Sequence, residues 1–333
     1  MITTTVIGSM PKPKWLVQDD NIRLWRVSGE VLREGMDDAA RISIQDQEAA
    51  GIDVITDGEQ RRMHYISRFI STLAGIDPKQ SNMADVGENT VNKASPVVIG
   101  KIRREHPHAL EDLRFLKANT DRRVKMTLPG PMTAMMPLED KHYEREPDLA
   151  MALADALREE ILDLEAEGCD VIQLDEPGAI VRPDAFREWG RMAIDRAFEG
   201  IEATTCIHLC FGYRQPGPTS TVRDRSAIDR LVSILPDLGS CRAKQLAFEC
   251  ACSGLPPEFF SPLPDDKQIV FGGVDNACTV VEDPAQVGAR LKQAAKVLGR
   301  DRIWATPDCG FVWLPIEIAR AKLRVLSEGA ALA

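Results

Sequence analysis

Eight short hydrophobic runs recur along the chain: TTTVIGSM (3–10), IDVITDGE (52–59), RVKMTLPG (123–130), DVIQLDEP (170–177), TTCIHLCF (204–211), QLAFECAC (245–252), QIVFGGVD (268–275) and RIWATPDC (302–309). Several are near-continuous in Val, Ile and Leu, as expected for parallel strands covered on both faces. Between them, apolar residues return at helical intervals. The clearest such stretch, PDLAMALADALREEILDLEAEG (147–168), predicts a helix stopped by Gly168. Eight β/α units in 333 residues predict a (β/α)8 barrel, the TIM-barrel architecture. The interval between the second and third strands exceeds what one helix needs, so about 60–122 is read as an insertion with room for a hairpin. No Pro/Ser/Gly-rich tract and no internal repeat divides the chain, and residues 1–333 are expected to form one domain.

The same runs end in polar residues. Their carboxyl ends supply Ser9, Asp57, Glu59, a PGP turn at 129–131, Asp175, Glu176, His208, Cys210, Glu249, Asp275, Asn276, Asp308 and Cys309. Active sites of such barrels are built at that rim. Each acid also has a plainer reading: Asp57, Glu59, Asp175 or Glu176 could cap a following helix, and Asp308 could turn the chain. The metal-binding types stand apart from this. His208 and Cys210 lie two residues apart on one strand and so share a face, and ligand-type residues at the ends of 245–251 and 302–310 could complete one site. Zinc takes thiolate, imidazole and carboxylate in such mixtures, and its chemistry there would be activation of a thiol. Spacing alone leaves open whether Glu249 or one of its neighbours Cys250 and Cys252 is the third strand's ligand. Cys206 lies one step deeper on the His208 face and is expected to fill the barrel.

Composition narrows the setting. A formal net charge of −10 argues against a phosphate-binding surface, so no nucleic-acid partner is expected. No apolar run approaches the roughly 20 residues needed to cross a bilayer, and the start MITTTVIGSMPKP lacks a secretory pattern. The expectation is a cytoplasmic protein with no membrane association. Eight cysteines are too few for a disulfide scaffold in a chain this long, and Cys169, Cys241 and Cys278, which lack partner-like spacing, are read as small buried or surface residues and not as ligands.

Taken in order, IGSMPKP, DGEQRR, LPGPMT, DVIQLDEPG, IHLC, LAFEC and ATPDCG resemble the catalytic barrel of the cobalamin-independent methionine synthase family, in its short single-barrel form. The resemblance runs nearly end to end and implies a zinc-dependent methyltransferase that converts homocysteine to methionine. It implies His208, Cys210, Glu249 and Cys309 as the metal ligands. It also implies that Glu59 and Asp175 hold the substrate amino group, with the backbone around Ile7 and Ser9 near its carboxylate. Homocysteine sulfur would displace Glu249, exchanging one anion for another and keeping the site charge constant. The bound thiolate would then attack the methyl group.

The sequence departs from the long form of the family on the donor side. The loop after the seventh strand reads GGVDNACTVVED (272–283) and carries no histidine to protonate a departing folate nitrogen. Either another acid such as Asp275, or a water, supplies that proton to methyltetrahydrofolate, or the donor is different: a methylated corrinoid on a partner protein, or an activated methyl compound. An alternative within the same chemistry is alkyl transfer to another thiol such as coenzyme M, whose sulfonate would call for Arg or Lys at the rim. A purely structural zinc site would close with Cys and His at short loop spacings, unlike ligands from separate strands that include an exchangeable Glu.

Overall fold

The computed structural model describes residues 1–18, 24–77, 95–212, 217–218 and 225–333. In chain order its strands are β1 (Thr3–Thr4), β2 (Val54–Ile55), β3 (Leu73–Ile76), β4 (Val97–Arg104), β5 (Arg123–Pro129), β6 (Glu139–Asp140), β7 (Val171–Asp175), β8 (Thr204–Leu209), β9 (Gln245–Phe248), β10 (Gln268–Val274) and β11 (Ile303–Pro307). Eight of them form one parallel sheet in the order β1-β11-β10-β9-β8-β7-β5-β2. A parallel bridge between Thr5 and Val54 joins the two ends, which makes the sheet the expected (β/α)8 barrel.

The β1 and β2 ladders are shorter than the hydrophobic runs that announce them. Side chains stitch this seam where backbone pairing stops. Thr4 donates to Asp53 through its N–H and hydroxyl, at 2.8 and 2.9 Å. Thr5 Oγ1 donates to the Val54 carbonyl, and Thr56 Oγ1 to that of Gly8, each at 2.9 Å. Leaving the ladder early frees the carboxyl-terminal half of each run to become rim loop.

Two packed regions follow from strand alternation. Residues pointing outward join the helices in one continuous core. Inward residues Ile7, Val54, Val171, Cys206, Ala247 and Val270 make a separate cluster inside the barrel, so Cys206 is barrel filling. The register carries the inward face upward: Thr127 lies beside Gln173, Gln173 beside Cys206, and Asp175 beside His208. The interior therefore changes from apolar to polar towards the carboxyl ends.

Outside the barrel, Glu146–Ala166 forms the long helix that the periodicity predicts, and Gly168 follows it at φ 82°. The 60–122 segment contains a helix at Tyr65–Ile70, an antiparallel β3/β4 pair and a helix at Leu110–Ala118. A third strand, β6, joins β4 from beyond β5, so this small sheet draws on residues outside the segment. Gly75 permits the pairing: at φ 87° it sits at a register shift, and a Cβ there would come within 2.6 Å of the Gly100 and Lys101 carbonyls. Among the described residues, no helix is long and apolar enough to cross a membrane.

Candidate active site

His208, at the end of β8, reaches the rim on the strand's inward face, and Cys210 follows in the loop. Cys309 comes from the loop after β11. These three buried side chains each place a ligand-type atom within 4.8 Å of the others. Tetrahedral zinc with ordinary bond lengths needs its ligand atoms roughly 3.3–3.8 Å apart, so the cluster is of the right size. Neither His208 ring nitrogen has a hydrogen-bond partner, although both are buried. Unsatisfied buried polar atoms are costly, and a metal ion is one way to satisfy them.

The electrostatics favour a cation at the same place. Burial alone would depress the His208 imidazole, but Cys210, Asp175 and Glu249 beside it reverse the balance and raise it. Cys210 is held well below the usual thiol range, first by the Cys309 thiol and then, against burial, by His208. Cys309 is pushed well above that range by the Cys210 sulfur and by burial. One thiolate and one thiol thus share a proton that a metal would displace.

Glu249 lies next to this cluster rather than within it. Fully buried at the end of β9, its carboxylate accepts from the N–H of Phe211, the residue after Cys210, at 3.2 Å. Cys250 and Cys252 are directed elsewhere. Cys250 joins the outer core, and Cys252 groups with Asp275 and Asp308.

Beside the cluster stands a pair of acids. Glu59 adopts left-handed backbone at φ 57°, uncommon for a residue with a side chain. Its carboxylate accepts from Thr127 Oγ1 at 3.0 Å, and that hydroxyl in turn accepts from Arg62 at 2.9 Å. Arg62 is buried and also donates to the Thr127 carbonyl at 2.8 Å. Its guanidinium is raised although burial opposes this, because Glu59 and Asp57 lie close by. Gly8 makes room for the acid, since a Cβ there would meet Glu59 Oε1 at 2.5 Å. Asp175, the other acid, is pushed up to about 7 by burial and by the negative charge of Glu59, against the opposing effect of His208. Its Oδ1 accepts from Gln173 Nε2 at 2.7 Å, and the same amide nitrogen donates to the Ile7 carbonyl at 2.9 Å. Ser9 is buried in the adjoining segment, where its carbonyl accepts from Phe311 N–H at 2.7 Å. The structure therefore gathers Ile7, Ser9, Glu59 and Asp175 in connected segments of the rim.

The remaining rim acids secure backbone. Glu176 accepts from the N–H groups of Met132 and Thr133 at 3.0 and 2.7 Å, so it caps the Pro131–Met135 helix instead of beginning its own. Burial pushes it up to about 7 against a further bond from the Thr133 hydroxyl and these two backbone bonds. Asp308 reaches across to the loop after β9 and accepts from the N–H groups of Cys250, Ala251 and Cys252 at 2.8, 2.9 and 2.5 Å. Asp57 accepts from the N–H of Glu59 at 3.0 Å. Neither Asp57 nor Glu59 caps the Tyr65–Ile70 helix, whose N-cap is His64.

Sequence reasoning passes over Tyr65. Its phenol is raised well above its ordinary range by burial and then by the charges of Asp175, Cys210, Cys309 and Glu59, so it keeps its proton beside the site. An aromatic residue in a long insertion carries no spacing signal that ties it to the barrel rim.

Comparison with known proteins bears directly on this rim. The family model described as the cobalamin-independent synthase catalytic domain matches residues 1–332. The methionine synthase of Sulfolobus acidocaldarius is 30% identical over 336 residues, covering 99% of this chain and 91% of that protein. That of Saccharolobus solfataricus is 31% identical over 335 residues, covering 99% and 94%. Among solved structures, the B12-independent methionine synthase from Shewanella sp. W3-18-1, in complex with selenomethionine, is 32% identical with a TM-score of 0.85 and covers 99% of this chain and 97% of its own. With the barrel, its polar rim and matches along almost the whole length in agreement, the chain belongs to the cobalamin-independent methionine synthase family, as a methyltransferase built on that family's catalytic domain.

Proposed function

We propose that residues 1–333 work as one catalytic barrel that methylates the thiol of homocysteine to give methionine, with zinc held by His208, Cys210, Cys309 and Glu249. The observation that carries this reading is the buried His208, Cys210 and Cys309 cluster with its two unpartnered ring nitrogens, set beside an acid pair suited to an ammonium group. The residues fit zinc in donor type, in spacing and in their shared, displaceable proton. Zinc in that position lowers the pKa of a bound thiol, so that the sulfur is a thiolate at neutral pH. Glu249 would be the ligand that yields to the substrate sulfur, its carboxylate then keeping the bond it already accepts from the Phe211 N–H. Glu59 and Asp175 receive the α-ammonium, while backbone around Ile7 and Ser9 receives the α-carboxylate. An ammonium between the acids would favour the ionised form of Asp175, which burial otherwise opposes. The amino-acid reading is supported by the Shewanella relative, whose complex contains selenomethionine, the selenium counterpart of the product.

For the donor, methyltetrahydrofolate and a methylated corrinoid partner protein make different demands on the rim. Asp275 is nearly fully buried, with Oδ1 accepting from Ala277 N–H at 2.7 Å, and it groups with Cys252 and Asp308. That placement favours a donor that needs no proton from Asp275.

Replacing the metal with Co2+ and titrating with homocysteine, cysteine and coenzyme M, without methyl donor, tests the acceptor. A new sulfur-to-cobalt band with homocysteine is the expected result. A band with coenzyme M alone would move the protein to the alkyl-thiol branch, and no band with any thiol would overturn the thiolate mechanism.

A further inference from the structure

Lys125 is 2% exposed on the inward face of β5, inside the barrel and beneath the rim. Among the described residues its ammonium has no ion-pair partner, and it donates to Gln173 Oε1 at 3.0 Å. A buried ammonium without a counter-ion is an expensive way to fill space that an apolar side chain could occupy. Its neighbour makes sense of it. Lysine offers only donors, so Gln173 must turn its oxygen towards Lys125 and its NH2 group away. That NH2 group meets two acceptors, Asp175 Oδ1 at 2.7 Å and the Ile7 carbonyl at 2.9 Å. With the amide reversed, its oxygen would face a carboxylate and a carbonyl, and its NH2 group would face an ammonium. Every bond in the chain from Lys125 through Gln173 to Asp175 and Ile7 therefore has one permitted direction.

We propose that Lys125 and Gln173 are positioning residues that make the site selective for an α-amino acid, by locking the acid that takes the ammonium to the segment that takes the carboxylate. This deepens the homocysteine reading and rests on it. With Oδ1 already engaged, Asp175 meets the substrate through its other oxygen. With the Ile7 carbonyl tied to the same amide, the distance between the two halves of the amino-acid clamp is set by one rigid group. Lys125 touches no reacting atom. Burial lowers its ammonium to about 8, with Cys206 and Asp175 opposing, so it remains largely charged at neutral pH.

The test compares homocysteine with 4-mercaptobutyrate, which keeps the thiol and carboxylate and lacks the amino group, by calorimetric titration of the zinc-loaded full chain. The wild type is expected to prefer homocysteine by about tenfold or more, the usual scale of a charge-assisted hydrogen bond. Lys125→Met removes the donor that anchors the Gln173 oxygen and leaves the amide held only from its NH2 side, so the clamp loosens; the preference should fall by about fivefold while affinity for 4-mercaptobutyrate changes less than about twofold. Gln173→Glu places a carboxylate against Asp175 and should abolish the preference. A folded Lys125→Met protein that keeps the full preference overturns the proposal. If that variant does not fold, Gln173→Met carries the same comparison. A wild type that binds both thiols equally would instead overturn the homocysteine reading, so the two failures are distinguishable.

Discussion

Truncating Asp308 to alanine would strand three backbone amides at once, because its two oxygens accept from Cys250, Ala251 and Cys252 on a loop that starts one residue after Glu249. Cys250 and Cys252 are 2% and 3% exposed, so their N–H groups have no ready access to water. Leaving a buried N–H unsatisfied costs about 1–3 kcal/mol, which gives about 2–6 kcal/mol for two; Ala251 is half-buried and adds less. The carboxylate also occupies the space above Gly272, where a Cβ would lie 2.2 Å from Oδ1. Water entering that space would recover part of the loss, so the expected destabilisation is about 2–4 kcal/mol, a large share of the roughly 5–15 kcal/mol typical of folded domains. Asp308→Asn keeps one oxygen for the amides of Cys250 and Ala251 but turns an NH2 group towards Cys252, and should cost about half as much. Urea unfolding of the metal-free protein measures the loss, and amide hydrogen exchange at 250–252 locates it. An Asp308→Ala protein within about 0.5 kcal/mol of wild type, with unchanged exchange in that loop, would refute the argument that this side chain holds the loops after β9 and β11 together.

Three further outcomes are expected. Gly8→Ala drives a methyl group into Glu59 Oε1, so it should cost about 1–3 kcal/mol in unfolding free energy and weaken homocysteine binding by about tenfold; unchanged calorimetric affinity would show that Glu59 is not part of the clamp. Glu176 is raised from 4.5 to about 7, so the folded state holds its proton more tightly than the unfolded chain. Its contribution to stability is present below pH 4.5 and is lost as pH rises through about 7. Wild type should therefore lose stability relative to Glu176→Gln between pH 5 and pH 8 in urea titrations, and a pH-independent gap would contradict this. Finally, chelation should lower the melting temperature and added zinc restore it, by about 2.7 kcal/mol at a hundredfold excess over Kd. In Cys309→Ala most of that metal-dependent increment should vanish.

The barrel was legible because all eight runs combine a strand-like composition with a turn at the end, and every one contains a sheet strand. The metal-type residues were legible for a related reason. The spacing of His208 and Cys210 has a direct geometric meaning on a strand, and Cys309 ends another run of the same kind. The small sheet was only half legible: β3 and β4 pair as a hairpin would, but β6 is two residues long and arrives from the far side of β5, a pairing with no local pattern. The shortness of β1 and β2 was hidden too, because hydrophobic content marks where a strand is buried and not where its ladder ends.

Counting acids at the rim could not sort them by role, and the structure shows why. What separates Glu59 and Asp175 from Asp57, Glu176 and Asp308 is whether backbone N–H groups engage their oxygens. Asp57, Glu176 and Asp308 accept from backbone N–H groups, Glu176 from the Thr133 hydroxyl as well, and these bonds tie down neighbouring loops or a helix end. The carboxylates of Glu59 and Asp175 each receive a side-chain donor, Thr127 or Gln173. Those donors are themselves oriented by buried cations, Arg62 and Lys125. Thr127 and Lys125 lie two residues apart on β5 and so share its inward face, which makes one strand the support for both acids. A support assembled from side chains on different strands leaves no motif in the sequence, whereas the acids it positions are conspicuous there. The chemistry of this rim is thus easier to read than the machinery that aims it, because ligand types are local properties of the chain and orientation is a property of the packed interior.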